Sequence, residues 1–234
     1  MKSLREIFWS LPKHADKWDP YFDAYETWFG RFRGKSPRIL EVGVQHGGSS
    51  LMWLEYFGAG TTVVGVDIDP RCLAHAGPNV VIEIGDQSSE EFWDEFFEKH
   101  PEPFDIIIDD GSHYQNDMAL TFSIANNYVK DGGIYLVEDC HTAYYNSHRV
   151  GDRAPDPETG LGNPRNFIEF SKLSINVLNR DHAISQGNAM DPNLLNLYQR
   201  VKGVHYYDSI VVFEMGAPAP FTRCLNSGVM MPDN

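Results

Sequence analysis

The sequence predicts an α/β protein with a doubly wound sheet that is mostly parallel and ends in a C-terminal antiparallel hairpin. Short apolar runs alternate with helical segments between residues 38 and 137. These runs are apolar almost throughout, as strands buried on both faces of a parallel sheet must be. Near the end of the chain the alternation gives way to two β-rich runs joined by a tight turn. Repeated strand–helix alternation is typical of a doubly wound sheet.

Each predicted element has its own local signal. The parallel strands are expected at residues 38–42, 62–66, 80–84, 104–108 and 133–137. The helices are expected at about residues 50–57, 70–76, 89–99 and 116–130. The third helix follows Ser88 and Ser89 and opens with two glutamates, a cap and a first-turn charge that favour a helix start. The hairpin joins residues 204–207 to residues 210–215.

The length suits a single domain over residues 1–234. Residues 1–35 are rich in aromatic side chains and predict a helical segment that lies across the sheet or against a second subunit. Residues 144–165 contain prolines and glycines and predict a mobile loop over the active face. A homo-oligomer, a dimer or larger, is expected.

The charge balance limits the classes of partner. The chain has 19 Lys and Arg against 33 Asp and Glu, a formal net charge of −14. Such a chain has no basic surface for nucleic-acid phosphates or anionic lipids, so neither nucleic acid nor a membrane is expected as a partner. The apolar fraction of 42% is enough for a sizeable core, which excludes a wholly disordered chain.

The cysteines indicate a reducing compartment. Cys72, Cys140 and Cys224 are odd in number and far apart, and no C-x-x-C pair occurs. This pattern argues against a disulfide framework or a zinc knuckle. The N-terminus is charged from its start, and no apolar run approaches the roughly 18 residues of a membrane span. A cytoplasmic location is therefore expected.

Glycines and acidic residues follow the predicted strands at the edge where ligands bind in such sheets. The residues expected to contact a cofactor are Glu41, Gly43, Gly47, Asp67, Asp69, Asp86 and Asp109. Glycines let the backbone approach a ligand, and the helix start that follows favours an anion. Position 45 is Gln, so the middle glycine of a dinucleotide motif is absent. Alternatively, Asp67 and Asp86 are plain helix caps.

Three carboxylates follow the fourth and fifth strands, which are expected to be neighbours. They are Asp110, Glu138 and Asp139. Carboxylates this close repel one another unless a positive group lies between them. An all-oxygen set suits Mg²⁺, or Mn²⁺, better than zinc. The alternative, that they only form a turn and cap helices, does not explain why Glu138 adjoins Asp139.

Two histidines near these carboxylates are candidate catalytic residues. His113 follows Asp110 by three residues, and His141 follows Asp139 by two. A metal ion can lower the pKa of a bound hydroxyl, and an imidazole that titrates near neutrality can take its proton. His113 is the first candidate for the general base and His141 the second.

Several motifs resemble one enzyme family. They are Asp-Asp-Gly-Ser-His at 109–113, Glu-Asp at 138–139, Thr-Ala-Tyr-Tyr at 142–145, Asp-Lys-Trp at 16–18 and residues 204–209. This set resembles the metal-dependent class I S-adenosylmethionine O-methyltransferases that act on sugars, of macrocin and mycinamicin type. The resemblance implies a Rossmann-like class I methyltransferase sheet. It also implies Mg²⁺ ligands at Asp110, Glu138 and Asp139, and a base at His113.

The same resemblance assigns the cofactor contacts. Glu41, Gly43 and Gly47 would border the amino-acid part of S-adenosylmethionine, Asp67 would bind the ribose and Asp86 the adenine amino group. The acceptor would be a hydroxyl of a saccharide or of a glycosylated metabolite, since similar short chains include a mycobacterial mannoside O-methyltransferase of polysaccharide biosynthesis. Two alternatives remain: an NAD-dependent oxidoreductase on the same fold, and a non-catalytic S-adenosylmethionine-binding module.

Overall fold

The computed structural model describes residues 2–217, which form an α/β fold around a sheet of seven strands in the order β3-β2-β1-β4-β5-β7-β6. The strands are β1 Arg38–Val42, β2 Thr62–Asp67, β3 Val80–Ile84, β4 Phe104–Asp109, β5 Val129–Val137, β6 Val201–Tyr207 and β7 Ile210–Met215. Strands β1 to β5 are parallel, and β7 pairs antiparallel with both β5 and β6. The predicted fold class is confirmed.

The helices flank the sheet. They are α1 Leu4–Ser10, α2 Tyr21–Phe29, α3 Gly48–Phe57, α4 Glu90–Lys99, α5 Gln115–Ala125, α6 Phe167–Leu178, α7 Arg180–Ser185 and α8 Pro192–Leu197. Ser89 caps α4 as predicted, since its hydroxyl accepts from the backbone N–H of Phe92 at 3.1 Å.

Two predicted helices differ from the structure. The stretch expected at 70–76 is a 3₁₀ helix, Pro70–His75, which Asp69 caps. The helix expected at 116–130 ends at Ala125, and a 3₁₀ helix, Asn126–Tyr128, leads to Val129, which pairs with Phe104 at the start of β5. Of the residues expected in the helix, the sheet takes only 129 and 130.

Apolar residues that alternate along the strands build a core on each face of the sheet. Leu40 belongs to one core with Trp93 of α4, and Ile39 belongs to the other with Trp53 of α3. Successive strand residues point to opposite faces, so two neighbouring residues serve two cores. Both faces are covered at the central strands, which explains why these strands are mostly apolar.

The N-terminal segment packs with α3 on the second of these faces. Leu4 of α1 and Tyr25 of α2 are fully buried there. Ser3 and Glu6 form a capping box that fixes the start of α1. Between α1 and α2 the chain is not helical, and this stretch passes the carboxyl ends of the parallel strands.

The structure also bears on the cysteines and on membrane association. Cys72 and Cys140 are free and buried, whereas Cys224 lies outside the described residues. None of the helices between residues 2 and 217 has the length and apolar character that a membrane span requires.

Candidate active site

A cavity of about 810 Å³ opens at the carboxyl ends of the parallel strands. Its walls come from residues that follow β1 to β5, from the segment before α2 and from the loop after β5. Its lining includes Asp16, Lys17, Trp18, Tyr21, Gly43, Gln45, Asp67, Asp86, Gln87, Asp110, Gly111, Ser112, His113, Glu138, Asp139, His141, Val150 and Arg153. This is the edge where the sequence places both predicted sets of polar residues.

Gly43 allows the loop after β1 to approach the end of β4. Its φ is +91°, and a Cβ atom there would lie 1.9 Å from the backbone oxygen of Asp110. Any side chain would therefore push the two strand ends apart. The loop and the acidic residues share one cavity because this position is glycine.

Asp67 holds the same loop and also lines the cavity. Its Oδ2 accepts hydrogen bonds from the backbone N–H groups of Val44 and Gln45 at 2.9 and 2.8 Å. Its Oδ1 accepts from the N–H of Asp69 at 2.9 Å. The carboxylate thus orders the loop around the position where the sequence expects a ribose.

Asp86 lines the cavity at the end of β3. Its Oδ1 accepts from both the backbone N–H and the hydroxyl of Ser88, at 2.8 and 2.7 Å. These bonds form a local turn and not a helix cap, since Ser89 caps α4. Asp86 also lines the cavity.

Two residues that the sequence assigns to the cofactor are buried beneath the cavity and do not line it. Glu41 accepts from Trp53 Nε1 at 2.8 Å and from the Ser50 hydroxyl, so it ties β1 to α3. Asp109 accepts from Gln87 Nε2 at 2.7 Å. Burial raises the pKa of Asp109 to about 7. Both carboxyls support the floor of the cavity.

Two further predicted cofactor residues also lie outside the lining. Gly47 has φ +71°, and a Cβ atom there would meet the His75 ring at 2.6 Å, so it is needed to turn the chain into α3. Asp69 caps the 3₁₀ helix after β2 and pairs with Arg71. Gly47 and Asp69 therefore determine the course of the loops but do not contact the cavity themselves.

The structure brings together Asp110, His113 and Asp139 at the ends of β4 and β5. One ligand atom of each lies within 4.8 Å of the others. His113 Nε2 lies 3.3 Å from Asp139 Oδ2 and 3.9 Å from Asp110 Oδ1. Glu138, the third predicted metal ligand, is next to this group but outside it.

Lys17 is not among the predicted site residues, yet it holds Glu138 outside the Asp110–His113–Asp139 group. Its Nζ donates to Glu138 Oε2 at 2.8 Å and to Asp110 Oδ2. Burial acts to lower the pKa of Lys17, but the two carboxylates outweigh it and raise the pKa above its usual value. A lysine ammonium therefore supplies the positive charge that the carboxylates require.

Glu138 is almost completely buried. Burial and the nearby Asp110 raise its pKa, and Lys17 opposes this effect. Glu138 Oε1 and the Tyr25 hydroxyl are both buried and interact with each other, but without the geometry of a regular hydrogen bond. The inner end of the site thus holds a carboxylate oxygen that has no regular hydrogen bond within the described residues.

The backbone is strained where it presents the catalytic candidates. His113 has φ +56° and Asp139 has φ +52°, in the left-handed region that ordinary residues rarely adopt. The hydroxyl of Thr142 donates to the His113 carbonyl oxygen at 3.0 Å, and Gln115 Nε2 donates to it at 3.2 Å. Strained residues held by their surroundings are common at functional sites.

The two histidines differ in their surroundings. Burial lowers the pKa of His113, against the effect of Asp110 and Asp139, so a neutral imidazole is favoured. His141 is less enclosed: its Nδ1 is hydrogen-bonded to Ser209 Oγ and lies 3.8 Å from Asp139 Oδ1. Both imidazoles are beside Asp139, and both line the cavity.

A smaller cavity of about 200 Å³ adjoins the first. It shares Trp18, Tyr21 and His141 with the main cavity and adds Pro20, Tyr145, Asp208 and Ser209. The side chains of Trp18 and Tyr145 are 60% and 44% exposed. Exposed aromatic rings beside a carboxylate and hydroxyl groups give this cavity a mixed apolar and polar lining.

The loop at 144–165 forms one wall of the main cavity. Arg153 pairs with the buried Asp117, with one N–O distance of 2.9 Å, and its guanidinium lies 3.9 Å from the centre of the Tyr114 ring. The Tyr114 hydroxyl donates to the Ala154 carbonyl at 2.8 Å. These contacts attach the loop to α5 and its start, and its mobility stays a prediction.

Comparisons with known proteins show which proteins this chain resembles. A family model described as a methyltransferase domain matches residues 40–140. Demethylmacrocin O-methyltransferase of Streptomyces fradiae is 31% identical over 206 residues, which are 84% of this chain and 48% of that protein. A second relative, 8-demethyl-8-alpha-L-rhamnosyl tetracenomycin-C 2'-O-methyltransferase of Streptomyces olivaceus, is 34% identical over 169 residues, covering 68% of this chain and 44% of that protein. Over most of its length the chain is therefore similar to a family of O-methyltransferases.

A solved structure supports the same similarity. The methyltransferase MycE of the mycinamycin biosynthetic pathway, in complex with Mg, SAH and mycinamycin VI, superposes with a TM-score of 0.74 at 25% identity. The match covers 95% of this chain and 57% of MycE. The class I methyltransferase fold is thereby confirmed. The chain spans about half the length of the curated relatives that it matches.

Proposed function

We propose that this protein transfers a methyl group from S-adenosylmethionine to a hydroxyl of a saccharide or glycosylated metabolite, with the help of Mg²⁺ or Mn²⁺. The observation that carries the proposal is that the Asp110–His113–Asp139 group and Asp67 open into one cavity. Sugar-bearing substrates in the names of the relatives, such as the rhamnosyl tetracenomycin, support the acceptor class.

The donor would bind along the ends of β1 to β3. Gly43 and Gln45 form the loop against which its amino-acid part would lie, Asp67 would accept from the ribose hydroxyls, and Asp86 from the adenine amino group. Glu41, Gly47, Asp69 and Asp109 would act indirectly, by holding the loops and the floor.

The residues at β4 and β5 fit a divalent cation. Asp110 and Asp139 offer carboxylate oxygens, the ligand type that Mg²⁺ and Mn²⁺ prefer. Glu138 Oε1, buried and without a regular hydrogen bond among the described residues, is a further oxygen beside them. When bound, a divalent cation lowers the pKa of a hydroxyl that it holds.

The chain's own residues would then complete the proton transfer. His113 Nε2 faces the cavity beside Asp139, and its lowered pKa keeps it ready to accept the proton of the acceptor hydroxyl. Asp139 would stabilise the imidazolium that forms. The loop at 150–153 and Trp18 would limit the access of water.

Replacing Asp67 with alanine is expected to weaken S-adenosylmethionine binding at least about tenfold, because each hydrogen bond to a charged group is worth about 1.5–3 kcal/mol. Isothermal titration of the purified variant measures this. The control is Asp94→Asn on the exposed face of α4, which should bind as the native protein does. An unchanged dissociation constant for Asp67→Ala would leave Asp67 with its loop-holding role alone.

The smaller cavity would hold part of the acceptor. Trp18 and Tyr145 expose aromatic surface beside Asp208, a lining that suits the apolar faces and the hydroxyls of a sugar ring. Trp18→Ala is expected to raise the KM for the acceptor by about two- to twelvefold, since a lost aromatic contact is worth about 0.5–1.5 kcal/mol. The affinity for S-adenosylmethionine should not change. A raised dissociation constant for the donor with an unchanged acceptor KM would contradict this placement.

Titration with S-adenosylmethionine and, separately, with NAD tests the cofactor assignment. We expect saturable binding of S-adenosylmethionine and none of NAD, whereas the opposite result would favour the oxidoreductase. Methyl transfer to a panel of glycosides excludes the non-catalytic binding module. The cytoplasmic location, a role in polysaccharide biosynthesis, the homo-oligomer and the absence of nucleic-acid or membrane partners stay predictions.

A further inference from the structure

Lys17 is the most deeply buried cation that contacts the acidic site among the described residues. Its side chain is 2% exposed, whereas the side chains of Asp110 and Asp139 are 20% and 23% exposed. The ammonium is therefore closed off from bulk solvent, although Lys17 is one of the residues that line the main cavity.

The two oxygens of Asp110 have different partners. Oδ2 accepts from Lys17, and Oδ1 lies on the side of His113, 3.9 Å from its Nε2. The lysine thus fixes the rotation of the Asp110 carboxylate. One oxygen remains directed at the group that also contains His113 and Asp139.

The same stretch of chain also contacts Asp139. The Tyr21 hydroxyl donates to Asp139 Oδ1 at 2.5 Å. Lys17 and Tyr21, four residues apart, together contact Asp110, Glu138 and Asp139. The segment at 16–21 is therefore built into the acidic site and orients all three of its carboxylates.

The charge of the site follows from this arrangement. Asp110, Glu138 and Asp139 contribute one negative charge each when ionised, and the buried ammonium of Lys17 cancels one of them. The remaining two charges match a divalent cation. Without Lys17, the three carboxylates would match a trivalent cation when all of them are ionised.

We propose that Lys17 is a positioning residue that selects a divalent cation, because it sets the charge of the acidic site and directs Asp110 Oδ1 toward the bound ion. This inference rests on the proposed function, which places the cation at Asp110 and Asp139. Lys17 stays bonded to Glu138 and Asp110 when the cation is bound.

The test compares Mg²⁺ and Tb³⁺ binding by isothermal titration in the native protein, Lys17→Met, Lys17→Arg and the control Lys130→Met. Lys130 pairs with Asp105, and its side chain is 44% exposed. Lys130→Met therefore removes the same charge at an exposed position outside the acidic site. Lys17→Met should shift the ratio of dissociation constants in favour of Tb³⁺ by about tenfold or more, since an unscreened charge acts strongly in a buried site. Lys17→Arg and Lys130→Met should stay within about threefold of the native ratio, because arginine keeps the charge and exposed pairs are screened.

Acylation of lysines, read by mass spectrometry, supplies a test on the native chain that does not depend on the folding of a variant. Lys17 should stay unmodified with and without saturating Mg²⁺, while Lys130 reacts in both. Acylation of Lys17 once Mg²⁺ is bound would overturn the inference. An unchanged ratio of the Mg²⁺ and Tb³⁺ dissociation constants in folded Lys17→Met would overturn it as well. Failure of the native protein to bind Mg²⁺ would contradict the metal part of the proposed function and this inference with it.

Discussion

His113→Ala is expected to lower kcat by about 10²–10⁴-fold, the usual contribution of a general base. The imidazole lies 3.3 Å from Asp139 and faces the cavity. Burial lowers its pKa, so the imidazole is neutral at neutral pH and free to take the proton of the acceptor. The variant should bind S-adenosylmethionine and Mg²⁺ as the native protein does. Steady-state kinetics with an acceptor glycoside that carries a free hydroxyl, and titration of both ligands, measure the two effects.

His141→Ala is the matched control. His141 also lines the cavity, but its Nδ1 is hydrogen-bonded to Ser209. We expect a smaller loss of kcat for His141→Ala than for His113→Ala. A larger loss would transfer the role of base to His141. If His113→Ala instead lost its affinity for Mg²⁺, His113 would be a ligand of the cation, as its place in the Asp110–Asp139 group also allows.

Asp110→Asn is expected to abolish turnover and to weaken Mg²⁺ binding by more than the 10–100-fold loss that is typical when outer-shell partners of a metal are changed. The amide keeps the size of the side chain but removes a charge that both Lys17 and the cation would need. Titration with Mg²⁺ and a kinetic assay measure the two losses. Donor affinity should stay within a few-fold, because the donor groups lie at the ends of β1 to β3.

Asp94→Asn, on the exposed face of α4, controls for the general loss of a carboxylate. It should leave Mg²⁺ affinity and turnover unchanged. Native Mg²⁺ affinity in Asp110→Asn would remove Asp110 from the cation site, whatever the effect on turnover.

Most of the sheet follows from apolar patterning alone. Strands β1 and β3 have the predicted bounds, because each is a short run of mostly apolar, β-branched residues. Strand β5 begins at Val129, before its apolar run, since pairing with Phe104 extends it through Gly132 and Gly133. The helices between 167 and 197 are not among the predicted elements, although α6 buries Ile168, Ser171, Ser174 and Val177 at helical spacing.

The sequence predicts only those residues of the candidate site that lie at the ends of strands. Asp67, Asp110 and Asp139 meet at one edge because parallel strands end together. Lys17 is 93 residues away from Asp110 in a stretch without regular structure, so no spacing rule brings them together. Its one signal is the Asp-Lys-Trp motif at 16–18. Glu41 shows the converse: its place at a strand end suggested a cofactor contact, but its side chain points to Trp53.

The central claim is that this cavity transfers a methyl group to a sugar hydroxyl and needs a divalent cation to do so. Transfer of labelled methyl from S-adenosylmethionine to a panel of glycosides, with Mg²⁺ and with excess EDTA, tests it most directly. We expect one methyl group on an oxygen of at least one glycoside with Mg²⁺, none with EDTA, and recovery when Mg²⁺ is restored. Full turnover in EDTA, with the metal content of the protein checked, would contradict the claim.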